Sequence, residues 1–224
     1  MIAHVVAAPV LERVDGGALR VDSAPYVDLD GFMVAVTGPR VPLMPNGIAL
    51  TAPPAAGTVR LAGARVWDPA LPAPPPGRGE QILEVLGEAP AIDDRLRRAL
   101  AMRDPQLATR AAAAMIGRGP GLTPEGDDQL AAAAAVVAAG PWAPAQRDPW
   151  LRALLPSDLR RRTTALSATL LELATTGRAI EPLHALLAPG DRWRAALQRL
   201  LRVGHSTGRA YAVAAAYAAA SCTS

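Results

Sequence analysis

Short apolar runs separated by turn residues occupy the first 90 residues of the chain. Residues 31–37, 47–51 and 57–67 are apolar stretches bounded by glycine, proline and asparagine, as β-strands often are. Asp15–Gly17 (DGG) lies between two apolar runs and predicts a hairpin turn. The pattern therefore predicts a β-rich N-terminal region over residues 1–90, a small antiparallel β-sheet or partial barrel.

From residue 80 onward the apolar positions adopt helical spacing. Proline follows Asp104, Thr123 and Glu181, at the first position of a predicted helix, and we expect Thr123 to cap the helix that follows it. The predicted helices are 80–86, 92–103, 105–116, 124–139, 158–176, 182–187, 192–201 and 206–219. Residues 91–224 are expected to form an alanine-rich helical domain, which gives the chain an α+β fold.

Composition excludes several kinds of chemistry. All 23 basic residues are arginine, which excludes a lysine Schiff base and with it ordinary pyridoxal-phosphate (PLP) chemistry. Arginine must then supply any positive charge that binds an anion. Cys222 is the single cysteine, so an internal disulfide and a cysteine-ligated metal site are excluded, and a reducing cytoplasm is expected.

Charge and hydropathy also narrow the expected partners. The net charge is +3, but the arginines are spread along the chain, so we do not expect nucleic acid as a partner. The N-terminal apolar run lacks the basic stretch of a signal peptide, and the alanine runs are too short to span a bilayer. We therefore expect a cytoplasmic protein without a membrane partner.

Residues 117–128 (GRGPGLTPEGDD) form the first candidate site segment. Gly119 and Gly121 let the backbone approach a ligand closely. The N–H groups at the start of the following helix suit phosphate or carboxylate, because the positive end of the helix dipole lies behind them. Thr123 would add a hydroxyl to this anion site.

Three acidic residues follow in the first turns of that helix, Glu125, Asp127 and Asp128. One interpretation is that they only stabilise the helix start. The other is that one or both aspartates hold Mg²⁺, orient an arginine, or accept a bond from a substrate amide or ammonium. Adjacent residues diverge by about 100° around a helix, so Asp127 and Asp128 are expected to face different partners.

Residues 204–208 (GHSTG) form the second segment and match the letters of the G-x-S-x-G nucleophile elbow. We reject that function, because residues 193–203 have helical periodicity where a strand is needed and no histidine follows Ser206. A second glycine-flanked helix start is favoured, with Ser206 or Thr207 as its cap. His205 is either an acid, a base or a hydrogen-bond donor in the site, or a residue that fixes the turn.

A weaker candidate lies in the predicted helix 158–176. Thr164 and Ser167 are three residues apart and nearly aligned on one face. Their hydroxyls either bond to the preceding turn of the helix or line a polar pocket.

The strings GPGLTPEGDD, TTALSATLLELATTG and GHSTG, in this order and spacing, resemble the bacterial AllH-like family. That family was long catalogued as a domain of unknown function and includes a subunit of oxamate carbamoyltransferase from purine and allantoin catabolism. The resemblance covers residue 111 to the C-terminus. The chain has Glu125 where the family has serine, and Ala210 where the family has aspartate. These departures leave open a different substrate, a weakened activity or a non-catalytic paralogue.

The resemblance implies carbamoyl transfer between oxalurate or oxamate and phosphate, by an enzyme with several different subunits. We therefore favour a small-anion-binding enzyme or enzyme subunit of the carbamoyltransferase type, in nitrogen or purine catabolism. A non-catalytic or metabolite-sensing paralogue and a tailoring enzyme with another substrate remain alternatives. The catalytic candidates are His205, Asp127 and Asp128, of which the two aspartates are also candidate metal ligands. The candidates for substrate or anion binding are Gly119, Gly121, Thr123, Glu125, Thr164, Ser167, Ser206, Thr207 and Gly208.

Overall fold

The computed structural model describes residues 1–22, 25–87 and 92–222. The chain divides into two compact units, Met1–Pro69 and Ala70–Ser224. All the strands described lie in the first unit, and all helices longer than one turn lie in the second. The α+β fold predicted from the sequence is confirmed. The assignment of residues 1–90 and 91–224 to separate domains stays a prediction.

Strands and one short helix build the first unit. The described elements are β1 (Ala3–Ala7), α1 (Ala8–Leu11), β2 (Ala18–Val21), β3 (Tyr26–Leu29), β4 (Phe32–Thr37), β5 (Gly47–Leu50), β6 (Gly57–Arg60) and β7 (Arg65–Trp67). A five-stranded sheet has the order β3-β4-β5-β1-β7, and β2 pairs with β6 in a separate two-stranded sheet. Val34, Ala35 and Val36 of β4, which lies between β3 and β5, are fully buried.

Strand pairing in the five-stranded sheet is mixed. β1 pairs antiparallel with β5 and parallel with β7, while β4 pairs antiparallel with β3 and parallel with β5. The expectation of a purely antiparallel sheet is therefore corrected, and the strands described do not close into a barrel. Apolar patterning predicts that a segment is a strand, but it does not fix the direction of the neighbouring strand.

Asp15–Gly17 is a turn, but the predicted hairpin is wrong. The apolar residues before it form α1, with Pro9 in the first turn, rather than a strand. The segment is a short 3₁₀ turn in which Gly16 and Gly17 have φ of 69° and 65°. It leads into β2, whose partner is the distant β6. The glycines thus mark the change of direction correctly, while the pairing depends on residues far along the chain.

Helices build the second unit. They are α2 (Arg78–Leu86), α3 (Asp94–Met102), α4 (Pro105–Met115), α5 (Glu125–Ala139), α6 (Pro144–Ala153), α7 (Leu159–Arg162), α8 (Ala165–Ala174), α9 (Glu181–Leu187), α10 (Trp193–Leu200) and α11 (Thr207–Ala220). The alanine-rich α5 and α11 are buried around most of their circumference, and α11 packs against both α5 and α2. No helix among those described is both long and apolar enough to cross a membrane.

Two helix predictions are corrected. The single helix expected over residues 158–176 is interrupted at Thr163, whose backbone is extended. Thr164 then caps α8, its hydroxyl accepting a hydrogen bond from the Ser167 N–H at 3.1 Å. Helix α6 was not among the predicted helices; Pro144 occupies its first turn, where proline is tolerated.

Close backbone contact fixes the start of α5 against the end of α4. The Gly126 N–H donates to the Arg118 carbonyl at 3.0 Å. A Cβ on Gly126 would overlap the carbonyl oxygen of Met115. The backbone of Gly126 is helical, a conformation that any residue could adopt. Glycine is needed here because it has no Cβ and so allows the backbones of α4 and α5 to approach closely.

We expect Gly126→Ala to destabilise the protein. Replacing glycine by alanine inside a helix ordinarily stabilises it by about 1 kcal/mol. Here the new methyl group meets backbone that cannot move aside cheaply, and we expect the free energy of unfolding to fall by roughly 1–3 kcal/mol. Urea denaturation measures the change, and an unchanged or increased stability would contradict this close packing.

Candidate functional site

The two glycine-flanked segments predicted from the sequence lie side by side. The hydroxyl oxygens of Thr123, just before α5, and Thr207, at the start of α11, are 3.3 Å apart. The first turns of the two helices are therefore neighbours. Ser206 occupies the N-cap position of α11, as one of the two expected alternatives, but its side chain makes no capping bond. The expected capping of α5 by Thr123 is wrong, because the N-cap position there is Pro124.

Asp128 lies buried beside this pair of hydroxyls. Its carboxyl is 2% exposed, and its Oδ2 has no hydrogen-bond partner among the described residues. Burial raises the pKa of Asp128 to about 7, and the nearby charges of Asp127 and Glu125 raise it too, whereas hydrogen bonds with Thr207 and Thr123 lower it. Near neutral pH this carboxyl therefore exchanges between its neutral and charged forms.

Asp127 has a different set of partners, as the divergence of adjacent helical residues predicts. It accepts a hydrogen bond from the Gly117 N–H at 2.8 Å through Oδ1, and one from the Thr163 hydroxyl through Oδ2. The side chain is 2% exposed. Asp127 thus ties the glycine loop and the break between α7 and α8 to the start of α5.

The described residues do not complete a metal site around Asp127 and Asp128. Among the residues described, no group of three or more His, Cys, Asp or Glu side chains could hold a metal ion. Both oxygens of Asp127 already accept hydrogen bonds within the protein. Mg²⁺ binding by Asp127 and Asp128 stays a prediction.

A first groove, here called the glycine–arginine groove, lies between the glycine loop and the start of α8. Its volume is about 340 Å³. The N–H groups of Gly119 and Gly121, at φ of 123° and 95°, donate to no acceptor in the described part of the chain. Glycine, arginine and threonine predominate in the lining, which consists of Gly117, Gly119, Gly121, Pro124, Arg161, Arg162, Thr163 and Thr164.

Contacts within the protein hold the walls of this groove together. The Thr164 hydroxyl donates to the Leu122 carbonyl at 2.6 Å, and the Ser167 hydroxyl lies 3.4 Å from the same oxygen. A Cβ on Gly117 would overlap the Arg162 carbonyl oxygen, so the loop and α7 are in backbone contact. Thr164 and Ser167 therefore act here as anchors of the loop.

The start of α5 is less open than the sequence indicates. The Gly126 N–H, one of the first-turn donors, is already bonded to the Arg118 carbonyl. Gly119 lies so close to the backbone nitrogen of Glu125 that a Cβ there would be 2.8 Å from it. The loop thus covers part of the helix end that was expected to face a ligand, and the groove opens towards α8 instead.

A second groove, here called the α5–α11 groove, is lined by residues at the start of α5 and at the start of α11. Its volume is about 380 Å³. His205 and Arg209 are exposed and Ser206 is half-buried. The side chains of these three residues make no hydrogen bond to any other described residue. The groove is lined by Glu125, Gln129, His205, Ser206, Arg209, Ala210 and Val213.

The residues predicted for one site are thus distributed over three places. The glycine–arginine groove contains Gly119, Gly121 and Thr164; the α5–α11 groove contains Glu125, His205 and Ser206; and the buried Asp128 lies against the half-buried Thr123 and Thr207. Gly208 lines neither groove. A Cβ on Gly208 would overlap the Leu200 carbonyl oxygen, so this glycine permits close packing between the end of α10 and the start of α11.

Several lining residues were missed in the sequence. Gln129 follows Glu125 by four residues within α5, a spacing that places both on one helix face, and Arg209 lies in the first turn of α11, directly after the GHSTG segment. That spacing could have identified them. Arg161 and Arg162 were assigned to the start of a continuous helix over residues 158–176, whereas they lie at the end of the short α7, beside the break at Thr163, and line the groove.

Asp128 is expected to make the stability of the protein fall as pH rises. The pKa of its carboxyl is about 7 in the folded protein against an ordinary value of 3.8. Between these values the folded state holds a proton that the unfolded chain releases. This contribution to stability is complete below about pH 4 and is lost as pH rises through about 7, by up to roughly 4 kcal/mol.

The variant Asp128→Asn removes this titration and keeps the shape of the neutral acid. In urea unfolding between about pH 5 and about pH 8, we expect its stability relative to the unmodified protein to improve steadily with pH. Asp191→Asn, at an exposed position in the same unit, is the control and should leave the pH dependence unchanged. Parallel pH profiles for Asp128→Asn and the unmodified protein would show that this carboxyl is ionised throughout.

Comparison with known proteins bears on the segment that contains both grooves. Residues 115–219 match the family model described as oxamate carbamoyltransferase subunit AllH. No match was found among curated proteins or among solved structures. Every residue that lines the two grooves falls within the matched segment. The resemblance indicated by the motifs is confirmed: over residues 115–219 the chain is similar to the AllH subunit of oxamate carbamoyltransferase.

Proposed function

We propose that this chain is a subunit of a carbamoyltransferase-type enzyme and that its glycine–arginine groove binds the phosphate group of the substrate. The observation that carries the proposal is the pairing of free backbone N–H groups, on Gly119 and Gly121, with the arginine side chains of Arg161 and Arg162 in one groove. The groove lies within the residues that match the AllH family model.

The charge of the groove supports binding of an anion. Arg161 is exposed and its side chain makes no hydrogen bond or ion pair with the rest of the described chain, so its guanidinium is available to a ligand. Arg162 donates through Nη2 to the Ala113 carbonyl at 2.6 Å, which holds its side chain in place. No acidic side chain is among the described lining residues. The nearby Asp127 carboxylate is 2% exposed and is bonded to Gly117 and Thr163, which leaves the two arginines to attract a phosphate dianion.

The start of α8 adds to this preference. Thr164 lines the groove and immediately precedes the ten-residue helix. The positive end of that helix dipole is therefore directed to the same space as the two arginines. In this arrangement catalysis relies on positioning of the reactants and on stabilisation of the charge that develops on the leaving phosphate.

We assign proton transfer to His205 in the α5–α11 groove. In the direction that consumes carbamoyl phosphate, the acceptor nitrogen attacks the carbamoyl carbon and the bond from that carbon to the phosphate oxygen breaks. The phosphate leaves with the bonding electron pair, and His205 accepts the proton that the acceptor nitrogen releases. The buried Asp128 holds the hydroxyls of Thr123 and Thr207 between the two grooves.

A second candidate function is a non-catalytic, ligand-sensing subunit. Ala210 supports it, because this residue lines the α5–α11 groove and presents only a methyl group there. Turnover distinguishes the two functions: the catalytic subunit supports carbamoyl transfer once its partner subunits are present, and Arg161→Ala lowers that rate. A sensing subunit binds the anion without contributing to the rate.

The binding of phosphate tests the proposed groove directly. We expect Arg161→Ala to weaken the binding of inorganic phosphate and carbamoyl phosphate about 10- to 100-fold in isothermal titration calorimetry, because a hydrogen-bonded charge contact is lost. The control is Arg98→Ala, which removes an exposed arginine from α3. Equal affinities in the two variants, or no binding by the unmodified chain either alone or with its partner subunits, would contradict the assignment.

A further inference from the structure

The α5–α11 groove has walls of opposite charge. Glu125, in the first turn of α5, provides a carboxylate on one side, and Arg209 provides a guanidinium on the other. The floor between them is apolar and small, since Ala210 and Val213 are 4% and 2% exposed. A ligand that fits must therefore present different groups to the two walls.

The acidic wall is fixed in orientation by a buried amide. Gln129 is 2% exposed, and its Oε1 accepts a hydrogen bond from the Asp93 N–H at 3.0 Å. Its Nε2 must then be the group that faces Glu125, and it lies 3.5 Å from the Glu125 Oε1. The second carboxylate oxygen of Glu125 bonds to no other described residue. This wall therefore offers an acceptor, and it attracts an N–H donor or a positive charge.

The opposite wall offers donors. The Arg209 side chain makes no ion pair or hydrogen bond among the residues described, and neither does the Ser206 hydroxyl or the His205 ring. Arginine binds carboxylates through two parallel N–H bonds. Ser206 and His205 lie three and four residues before Arg209, just ahead of α11, and all three line the same groove.

We propose that the α5–α11 groove binds a small carboxylate that carries N–H donors at its other end, with the carboxylate on Arg209 and the donors on Glu125. The identification of this carboxylate as the acceptor of the proposed reaction rests on the proposed function. The binding of the carboxylate in this groove does not depend on that function. The proposal assigns specificity to Arg209 and to the Glu125–Gln129 pair.

Charge separates the ligands of the two grooves. A phosphate in the α5–α11 groove would face the carboxylate of Glu125, and like charges repel. The glycine–arginine groove has no acidic residue among those described as lining it. The two grooves therefore select a phosphate and an amino- or amido-carboxylate respectively. Two sources share the second chemistry: an amide such as oxamate, and an amino acid such as glycine.

The test measures the binding of oxamate and of glycine by NMR or calorimetric titration of the full chain, alone and with its partner subunits. We expect at least one of them to bind, and Arg209→Ala to weaken its binding about 10- to 100-fold. The control is Arg202→Ala, an exposed arginine before α11 that lines neither groove. Binding of neither compound, or equal affinities in Arg209→Ala and Arg202→Ala, would overturn the proposal.

The variant Glu125→Gln distinguishes the two sources. Removing its charge should weaken the binding of glycine, whose ammonium pairs with the carboxylate, about tenfold or more. It should change the binding of oxamate less, since a neutral amide can still donate to the glutamine oxygen. If Glu125→Gln alters neither affinity, Glu125 does not contact the ligand and the proposed orientation is wrong.

The affinity for inorganic phosphate tests the proposed function of the glycine–arginine groove independently of this proposal. Arg209→Ala and Glu125→Gln should leave the affinity for inorganic phosphate unchanged, whereas Arg161→Ala should reduce it. Phosphate binding without binding of either carboxylate would overturn the present inference and leave the proposed function standing. Carboxylate binding that depends on Arg209, in a chain that does not bind phosphate, would overturn the proposed function and leave the present inference standing.

Discussion

The packing of α5 against α11 is the contact on which both grooves depend. The two helices are rich in alanine, and short side chains allow helix axes to approach closely. Both helices begin at the same end, where Thr123 and Thr207 are in contact. The glycine loop before α5 and the turn before α11 are thereby brought to the same region. Any change that separated these helices would alter both grooves together.

The secondary structure of this chain follows largely from local patterns, and the exceptions have tertiary causes. Helical spacing and proline placement predicted most helices of the second unit. The break at Thr163 was missed because no glycine or proline marks it; the break is stabilised by the contact of Thr164 with Leu122, forty-two residues away. The parallel strand pairs of the first unit likewise depend on connections that a local pattern does not specify.

The candidate site could be predicted as a set of segments but not as a geometry. The sequence indicated that residues 117–128 and 204–208 carry the distinctive chemistry, and the structure places them in contact. Their division into two grooves was not predictable, because it depends on which side of the α5 start each residue occupies. Asp127 and Asp128 illustrate the difficulty: adjacent in sequence, they have separate partners, and one is tied to the loop while the other is buried between threonines.

The hydrogen bonds of Asp127 bear on how fast and how tightly the glycine–arginine groove would bind a ligand. By linking Gly117 and Thr163, this carboxylate holds two walls of the glycine–arginine groove at a set separation when no ligand is present. An anion bound there as proposed would have little backbone to immobilise, so most of its interaction energy would be retained as affinity. Association should accordingly proceed as a single encounter without a slow rearrangement of the loop, at a rate governed by diffusion and by the field of the two arginines.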